Sequence, residues 1–231
     1  MKQKIKSFVR KVRGIFTIRY RNFMEDSLAT FSLIPIQEEL KFYYPYTDNA
    51  LYPMNLKIIL NDIVIHQRKN IVELGAGIST IYISALLRKN NIKATITTIE
   101  ENKDWADYLS QKLKDEGLSE FGNIIYVPLE KIDNKKEWYN RKIIEKIKNT
   151  IGKVDCLIVD APMAKYKTIR IEAVPAFYEI FDSTFSVFLD DCHRKGEKSI
   201  IKYWNKKFKL DFKIYNRLGI YIKSDDKFNI L

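Results

Sequence analysis

Hydrophobic and polar residues follow two different periods along this chain, and the alternation outlines its secondary structure. Apolar residues at helical spacing predict helices at 55–66, 80–89, 103–116, 137–150, 168–181 and 197–208. Short apolar runs predict strands at 70–74, 94–99, 123–127, 154–159, 185–189, 211–215 and 219–223. Strands that alternate with helices indicate parallel βαβ units, whereas the connection 216–218 is too short for a parallel crossover. The pattern therefore predicts an α/β fold whose mostly parallel sheet ends in an antiparallel hairpin.

The N-terminal segment has a pattern of its own. Its first 24 residues contain eight Lys and Arg, and the first acid is Glu25. Apolar residues recur there along one stripe of a predicted helix: Ile5, Phe8, Val9, Val12, Ile15 and Phe16. Such a basic amphipathic helix can pack its stripe on the domain, lie on an anionic membrane, or reach a charged substrate. Residues 1–24 are thus a candidate for peripheral contact with an anionic membrane.

The aromatic segment that follows contains three prolines. Pro35, Pro45 and Pro53 block a long regular helix and predict a lead-in loop over 31–53. We therefore expect residues 1–54 to form the basic helix and this lead-in, and residues 55–231 to form one α/β domain.

Composition narrows the class of protein. Hydrophobic residues make up 46% of the chain, which supports a packed core. The formal charge of +11 favours an anionic partner or surface, with a generally basic proteome as the alternative. Cys156 and Cys192 lie in or beside apolar runs, and neither a membrane span nor a signal peptide is expected. These features predict a cytoplasmic protein, and they leave association at the inner face of a membrane through its N-terminal helix as an alternative to packing of that helix on the domain.

A glycine turn follows the predicted strand 70–74. Gly75 and Gly77 let the backbone turn sharply and let a ligand approach its amides, and the next helix directs its N-terminus there. Glu73 lies in the preceding strand, where a charge requires a partner. Glu100 ends the next strand, where an acid can accept both hydroxyls of a ribose. These residues predict a nucleoside pocket.

The segment 72–80, with the sequence Val-Glu-Leu-Gly-Ala-Gly-Ile-Ser-Thr, resembles the first motif of class I S-adenosylmethionine-dependent methyltransferases. Further segments resemble later motifs of that family, in order: 98–102 with Trp105, 138–139, 159–162, and 189–194 with Glu197 and Trp204. The resemblance covers about 55–223 and extends to a broad bacterial group of undefined substrate. It departs at Ser79, often a glycine in the family, and at Ala161, which stands where the fourth-strand turn usually has glycine.

The resemblance implies a Rossmann-like three-layer sandwich with a seven-stranded sheet, and methyl transfer from S-adenosylmethionine to a small or glycan-type acceptor. It implies a cofactor pocket lined by seven residues: Glu73, Gly75, Ala76, Gly77, Ser79, Thr80 and Glu100.

Acidic and basic residues end the predicted strands 154–159 and 185–189, on the same rim as the pocket. Asp160 is a candidate for holding substrate or the cofactor's amino group, Asp191 or His193 for accepting a hydroxyl proton, and Arg194 for binding an anionic substrate. Alternatively, Asp190 and Asp191 cap the helix that contains Glu197. The three aspartates also match the spacing in catechol-type methyltransferases, in which a divalent cation such as Mg²⁺ binds the acceptor oxygens.

Two other classes of function compete with this reading of the residues. A nicotinamide-dependent oxidoreductase would use a similar turn, but its third glycine would fall at Thr80. A non-catalytic Rossmann-like protein would bind RNA or membrane through its basic surface. Nucleic acid is not the expected partner, since no RNA-recognition motif is visible. The sequence leaves the oligomeric state open.

Overall fold

A computed structural model describes residues 2–44, 46–132, 136–163 and 165–231, with side chains from Tyr20 onward. Seven strands form a central sheet: β1 (Asn70–Leu74), β2 (Thr95–Glu100), β3 (Gly122–Tyr126), β6 (Val154–Val159), β7 (Phe181–Leu189), β8 (Lys213–Tyr215) and β9 (Leu218–Lys223). Their order in the sheet is β3-β2-β1-β6-β7-β9-β8. All neighbours from β3 to β7 are parallel, and β9 runs antiparallel to both β7 and β8. A separate hairpin pairs β4 (Leu129–Lys131) with β5 (Glu137–Tyr139).

Helices cover both faces of the sheet. They are α1 (Lys2–Gln37), α2 (Pro53–Ile65), α3 (Ile78–Lys89), α4 (Lys103–Asp115), α5 (Arg141–Ile151), α6 (Ala173–Phe177) and α7 (Lys195–Phe208). Apolar residues of α1 to α4 form one core with the sheet, and those of α5 to α7 form the other. Because β1 side chains alternate, Ile71 joins the first core while Val72 and Leu74 join the second. The predicted three-layer Rossmann-like architecture with a reversed C-terminal strand is confirmed.

Two predicted helices differ from the structure. The helix predicted at 137–150 begins only at Arg141, because residues 137–139 pair with β4 instead. The helix predicted at 168–181 is divided into a 3₁₀ turn (Ile169–Glu172), α6 and a second turn (Tyr178–Ile180). Pro175 has no N–H for the carbonyl of Ile171, which instead accepts a 2.8 Å hydrogen bond from Trp204 Nε1.

The first helix is longer than predicted. The lead-in loop expected from residue 31 begins only after Gln37, and Pro35 lies within the last turn of α1. A proline there removes one helical hydrogen bond, and the helix ends two residues later. Ala29, Leu33 and Ile36 are buried in the first core, which holds this turn in place. The side chains of the stripe predicted between Ile5 and Phe16 lie outside the described side chains, as does Pro45.

None of the described helices combines the length and the apolar character that crossing a membrane requires.

Candidate active site

The sheet reverses its chain order between β1 and β6. From β1 the chain runs outward to β2 and β3, whereas β6 continues to β7 on the other side. In open α/β sheets a ligand-binding crevice lies at the carboxyl ends of the strands at such a switch point. The sequence-predicted residues at the ends of β1, β2, β6 and β7 therefore meet at one edge of the sheet.

The glycine turn after β1 packs directly on the end of β6. Gly75 has a φ of +98°, and a Cβ there would lie 2.7 Å from the Cβ of Ala161, so only glycine is unstrained. Its N–H donates to the carbonyl of Ile99. At Gly77, in contrast, a Cβ would meet nothing nearer than Ser79 Oγ at 3.7 Å. The turn is tight against the sheet at Gly75 and open at Gly77, immediately before α3 begins.

Glu73 lies beneath this turn and is completely buried. Its carboxylate accepts hydrogen bonds from Ser79 Oγ (2.5 Å), Thr80 Oγ1 (2.5 Å) and Thr98 Oγ1 (2.9 Å). Burial raises the pKa of Glu73 to about 7, and the three hydroxyls oppose that rise. Ser79 and Thr80 thus direct their hydroxyls inward, so their predicted contact with a ligand, like that of Glu73, stays a prediction. The cluster fixes the shape of the turn.

Glu100 faces the same turn from the end of β2. Its Oε2 accepts from the N–H of Ala76 and its Oε1 from the N–H of Asn102, both at 2.8 Å. Burial raises the pKa of the Glu100 carboxyl. Each carboxylate oxygen can accept a further hydrogen bond, so two adjacent hydroxyls can still be bound. Beside it, Trp105 donates from Nε1 to the carbonyl of Ala76 at 2.7 Å while its side chain stays 42% exposed.

Glu101 connects this half of the site to the other. Its Oε2 accepts from the hydroxyl of Tyr139 at 3.0 Å, and its Oε1 accepts from the N–H of Met163 at 2.8 Å. The loop after β6, which begins with Asp160, is therefore tied to the end of β2.

Asp160, Asp190 and Asp191 form an acidic cluster at the ends of β6 and β7. A carboxylate oxygen of each lies within 4.8 Å of one from the other two. Arg170 bridges two of them, with Nη2 at 3.2 Å from Asp160 Oδ1 and Nη1 at 3.2 Å from Asp191 Oδ2. Burial, reinforced by the charge of Asp190, raises the pKa of Asp160 well above its ordinary range. Burial likewise raises the pKa of Asp190 to about 6.

Arg194 and His193 lie at the rim of the cluster. Arg194 Nη1 is 2.7 Å from Asp191 Oδ2, so that oxygen contacts two guanidinium groups. The His193 side chain is half exposed, with Nδ1 3.9 Å from Asp191 Oδ1. Neither Asp190 nor Asp191 caps α7, whose N-cap residue is Arg194 without a capping side-chain hydrogen bond. The helix-capping alternative for the two aspartates is therefore wrong.

Two residues of the site escaped the sequence analysis. Arg170 is only 4% exposed, and an arginine inside the apolar segment 169–177 was a signal that it has buried acidic partners. Asn55, fully buried near the start of α2, donates from Nδ2 to Asp190 Oδ1 at 2.7 Å. Its Oδ1 has no hydrogen-bond partner among the described residues. Nothing in the sequence around Asn55, a single asparagine at the start of a predicted helix, indicated a buried acidic partner.

A basic cavity adjoins the acidic cluster. It has a volume of about 550 Å³ and lies between the loop after β6 and the start of α7. Its basic lining residues are Lys165, Lys167, Arg194 and Lys195. This cavity offers cationic groups to an anionic molecule, and its residue Arg194 connects it to Asp191.

The catechol-type resemblance implies a divalent cation held by the three aspartates. Mg²⁺ needs oxygen ligands at about 2.0 to 2.1 Å in octahedral geometry. Asp160 and Asp191 are already paired with the buried guanidinium of Arg170, and Asp190 is bound by Asn55. A second, doubly charged cation beside that guanidinium would be repelled, so the residues present do not fit the metal.

Comparison with solved structures identifies the fold. A Staphylococcus aureus protein proposed to be a caffeoyl-CoA O-methyltransferase is 18% identical, with a TM-score of 0.58, over 94% of this chain and 100% of that chain. A Bacillus cereus O-methyltransferase in complex with S-adenosylhomocysteine is 13% identical, with a TM-score of 0.57, over 87% and 91%. A Podospora anserina methyltransferase bound to the same compound is 14% identical, with a TM-score of 0.58, over 84% and 88%.

This chain thus has the fold of class I S-adenosylmethionine-dependent methyltransferases. No protein-family model and no curated protein sequence matches it.

Proposed function

We propose that the protein is an S-adenosylmethionine-dependent methyltransferase that methylates an oxygen of a small acceptor. The observation that carries the proposal is the arrangement at the switch point, where Glu100 accepts from the N–H of Ala76 in the glycine turn and Gly75 packs on Ala161, the residue after Asp160 of the acidic cluster. Structures of similar fold have been solved with S-adenosylhomocysteine or S-adenosylmethionine. Against a dinucleotide enzyme, Thr80 replaces the third glycine and its hydroxyl is directed to Glu73.

The chain's own residues supply binding and proton transfer. When bound, S-adenosylmethionine supplies an activated methyl group, so that a C–O bond forms as the C–S bond breaks and the electron pair stays on sulfur. Glu100 would accept the two ribose hydroxyls of the bound cofactor, and the first amides of α3 would bind its carboxylate. Asp160, the most exposed of the three aspartates, takes the proton that the acceptor hydroxyl loses.

The basic cavity favours an acceptor that carries an anionic group. Four basic residues line it, and one of them, Arg194, contacts Asp191 of the acidic cluster: Lys165, Lys167, Arg194 and Lys195. Charge-assisted hydrogen bonds to a phosphate or carboxylate are among the stronger ones in proteins. A glycan-type acceptor fits this proposal when it carries such a group. Arg194 would then hold the acceptor while remaining paired with Asp191.

Calorimetric titration with S-adenosylhomocysteine tests the cofactor site. We expect the purified chain to bind, and Glu100→Ala to weaken binding by about 1.5 to 3 kcal/mol, the usual contribution of hydrogen bonds to a charged group. Glu120→Ala is the control, because Glu120 is an exposed glutamate in the loop before β3. Undetectable binding by the wild-type chain at millimolar ligand would refute the proposal.

We further propose that α1 contacts an anionic membrane. Tyr20, Phe23, Leu28 and Phe31 are each 62 to 68% exposed, and they continue a helix whose first 24 residues carry eight basic side chains. The protein is expected to float with vesicles containing phosphatidylglycerol but not with pure phosphatidylcholine. The variant Phe23→Glu/Phe31→Glu should stay unbound, and equal flotation of this variant would contradict the membrane proposal.

A further inference from the structure

We propose that Arg170 is a built-in cation that replaces a divalent metal in the acidic cluster, so that the site works without metal. This inference rests on the proposed function, in which the acidic cluster binds the methyl acceptor. The evidence for it is the geometry of Arg170 and its neighbours.

The guanidinium of Arg170 is placed where it joins the carboxylates of two strand ends. Nη2 lies 3.2 Å from Asp160 after β6, and Nη1 lies 3.2 Å from Asp191 after β7. The planar fork of an arginine suits such a bridge, because its donors diverge at fixed angles. Arg170 therefore fixes the spacing between the two carboxylates, which is the positioning role that a bridging metal ion would have.

The backbone that carries Arg170 is itself anchored. Arg170 lies in the 3₁₀ turn Ile169–Glu172, and the carbonyl of its neighbour Ile171 accepts a 2.8 Å hydrogen bond from Trp204 of α7. Ile169 is buried on the other side of Arg170. A guanidinium that is 4% exposed cannot withdraw into water without moving this turn. A metal ion would have to displace it or accept its repulsion, and either carries a large free-energy cost.

The charges predict what removal of the guanidinium would do. Without Arg170, the carboxylates of Asp160, Asp190 and Asp191 would face one another without a buried cation between them, with Asn55 bound to Asp190 and the rim residues Arg194 and His193 beside Asp191. Three carboxylates within 4.8 Å then form an oxygen donor set suited to a hard cation. Loss of Arg170 should therefore create a metal site that the wild-type chain lacks.

Titration of the full-length chain with Mn²⁺, followed by electron paramagnetic resonance, tests this directly. The wild-type protein is expected to leave Mn²⁺ free, whereas Arg170→Met should bind it at least about tenfold more tightly. Arg194→Met is the matched control, since Arg194 also contacts Asp191 but is 46% exposed, and it should not gain the bound-Mn²⁺ signal. Wild-type binding that Asp160→Asn abolishes, or no gain in folded Arg170→Met, would overturn the proposal.

Should Arg170→Met fail to fold, the wild-type chain still decides the question. Methyl transfer that is unchanged by EDTA supports the proposal, and activity that EDTA removes and Mn²⁺ restores overturns it. The Mn²⁺ titration needs neither cofactor nor acceptor. Failure of the proposed function would instead appear as absent S-adenosylhomocysteine binding, so the two failures are distinguishable.

Discussion

Replacement of Gly77 by valine is expected to abolish S-adenosylhomocysteine binding while leaving the fold intact. A Cβ at position 77 would have Ser79 Oγ at 3.7 Å as its nearest neighbour, so the protein itself leaves room for a side chain. The branched side chain of valine would fill the space through which a ligand approaches the turn. We expect binding to weaken at least a hundredfold, about 2.8 kcal/mol, measured by calorimetry.

Thermal unfolding serves as the control for this variant. Because Gly77 precedes α3 in an extended conformation, its substitution should change the melting temperature by only a few degrees. Gly75 differs, since its φ of +98° and its contact with Ala161 leave no room for a Cβ. Near-normal ligand affinity in folded Gly77→Val would show that the cofactor does not approach the turn at this residue.

The sequence predicted those parts of the site that are local in the chain. Gly75 and Asp160 each follow a short apolar strand and Glu100 ends one, and the ends of parallel strands meet at one edge of the sheet. A residue's place at the end of a predicted strand is therefore enough to predict that it lies at the site. Apolar runs also gave the bounds of β1 and β6 correctly, since these central strands are buried on both faces.

Contacts between distant segments could not be predicted in the same way. Arg170 acts on residues that are 10 and 21 positions away, and Asn55 contacts Asp190 from 135 positions away. The division of the segment 168–181 depends on Trp204, which takes the role of a helical donor for Ile171. Periodicity reports which face of an element is buried, but it does not report which polar residue meets which.

Placement of the guanidinium groups changes the expected roles of the acidic residues. Asp191, a candidate base from its position in the sequence, has its Oδ2 in contact with both Arg170 and Arg194, so this oxygen already has two cationic partners. His193 makes no hydrogen bond to Asp191 at 3.9 Å. Asp160 pairs with Arg170 through Oδ1 and is 22% exposed, which favours it as the group that meets the acceptor.

Asp160→Asn is therefore expected to reduce kcat by about two to four powers of ten, the usual contribution of a general base. Because burial raises the pKa of Asp160 well above its ordinary range, Asp160 is protonated and loses its basic form at a pH well above that of an ordinary aspartate. Wild-type kcat should therefore decline as pH falls through this raised pKa, and the variant should lose this limb. His193→Gln should lower kcat less than about tenfold, since its half-exposed ring is not hydrogen-bonded to the cluster. If His193→Gln instead matched the loss in Asp160→Asn, the proton would leave through the histidine, and the aspartates would serve only to position the acceptor.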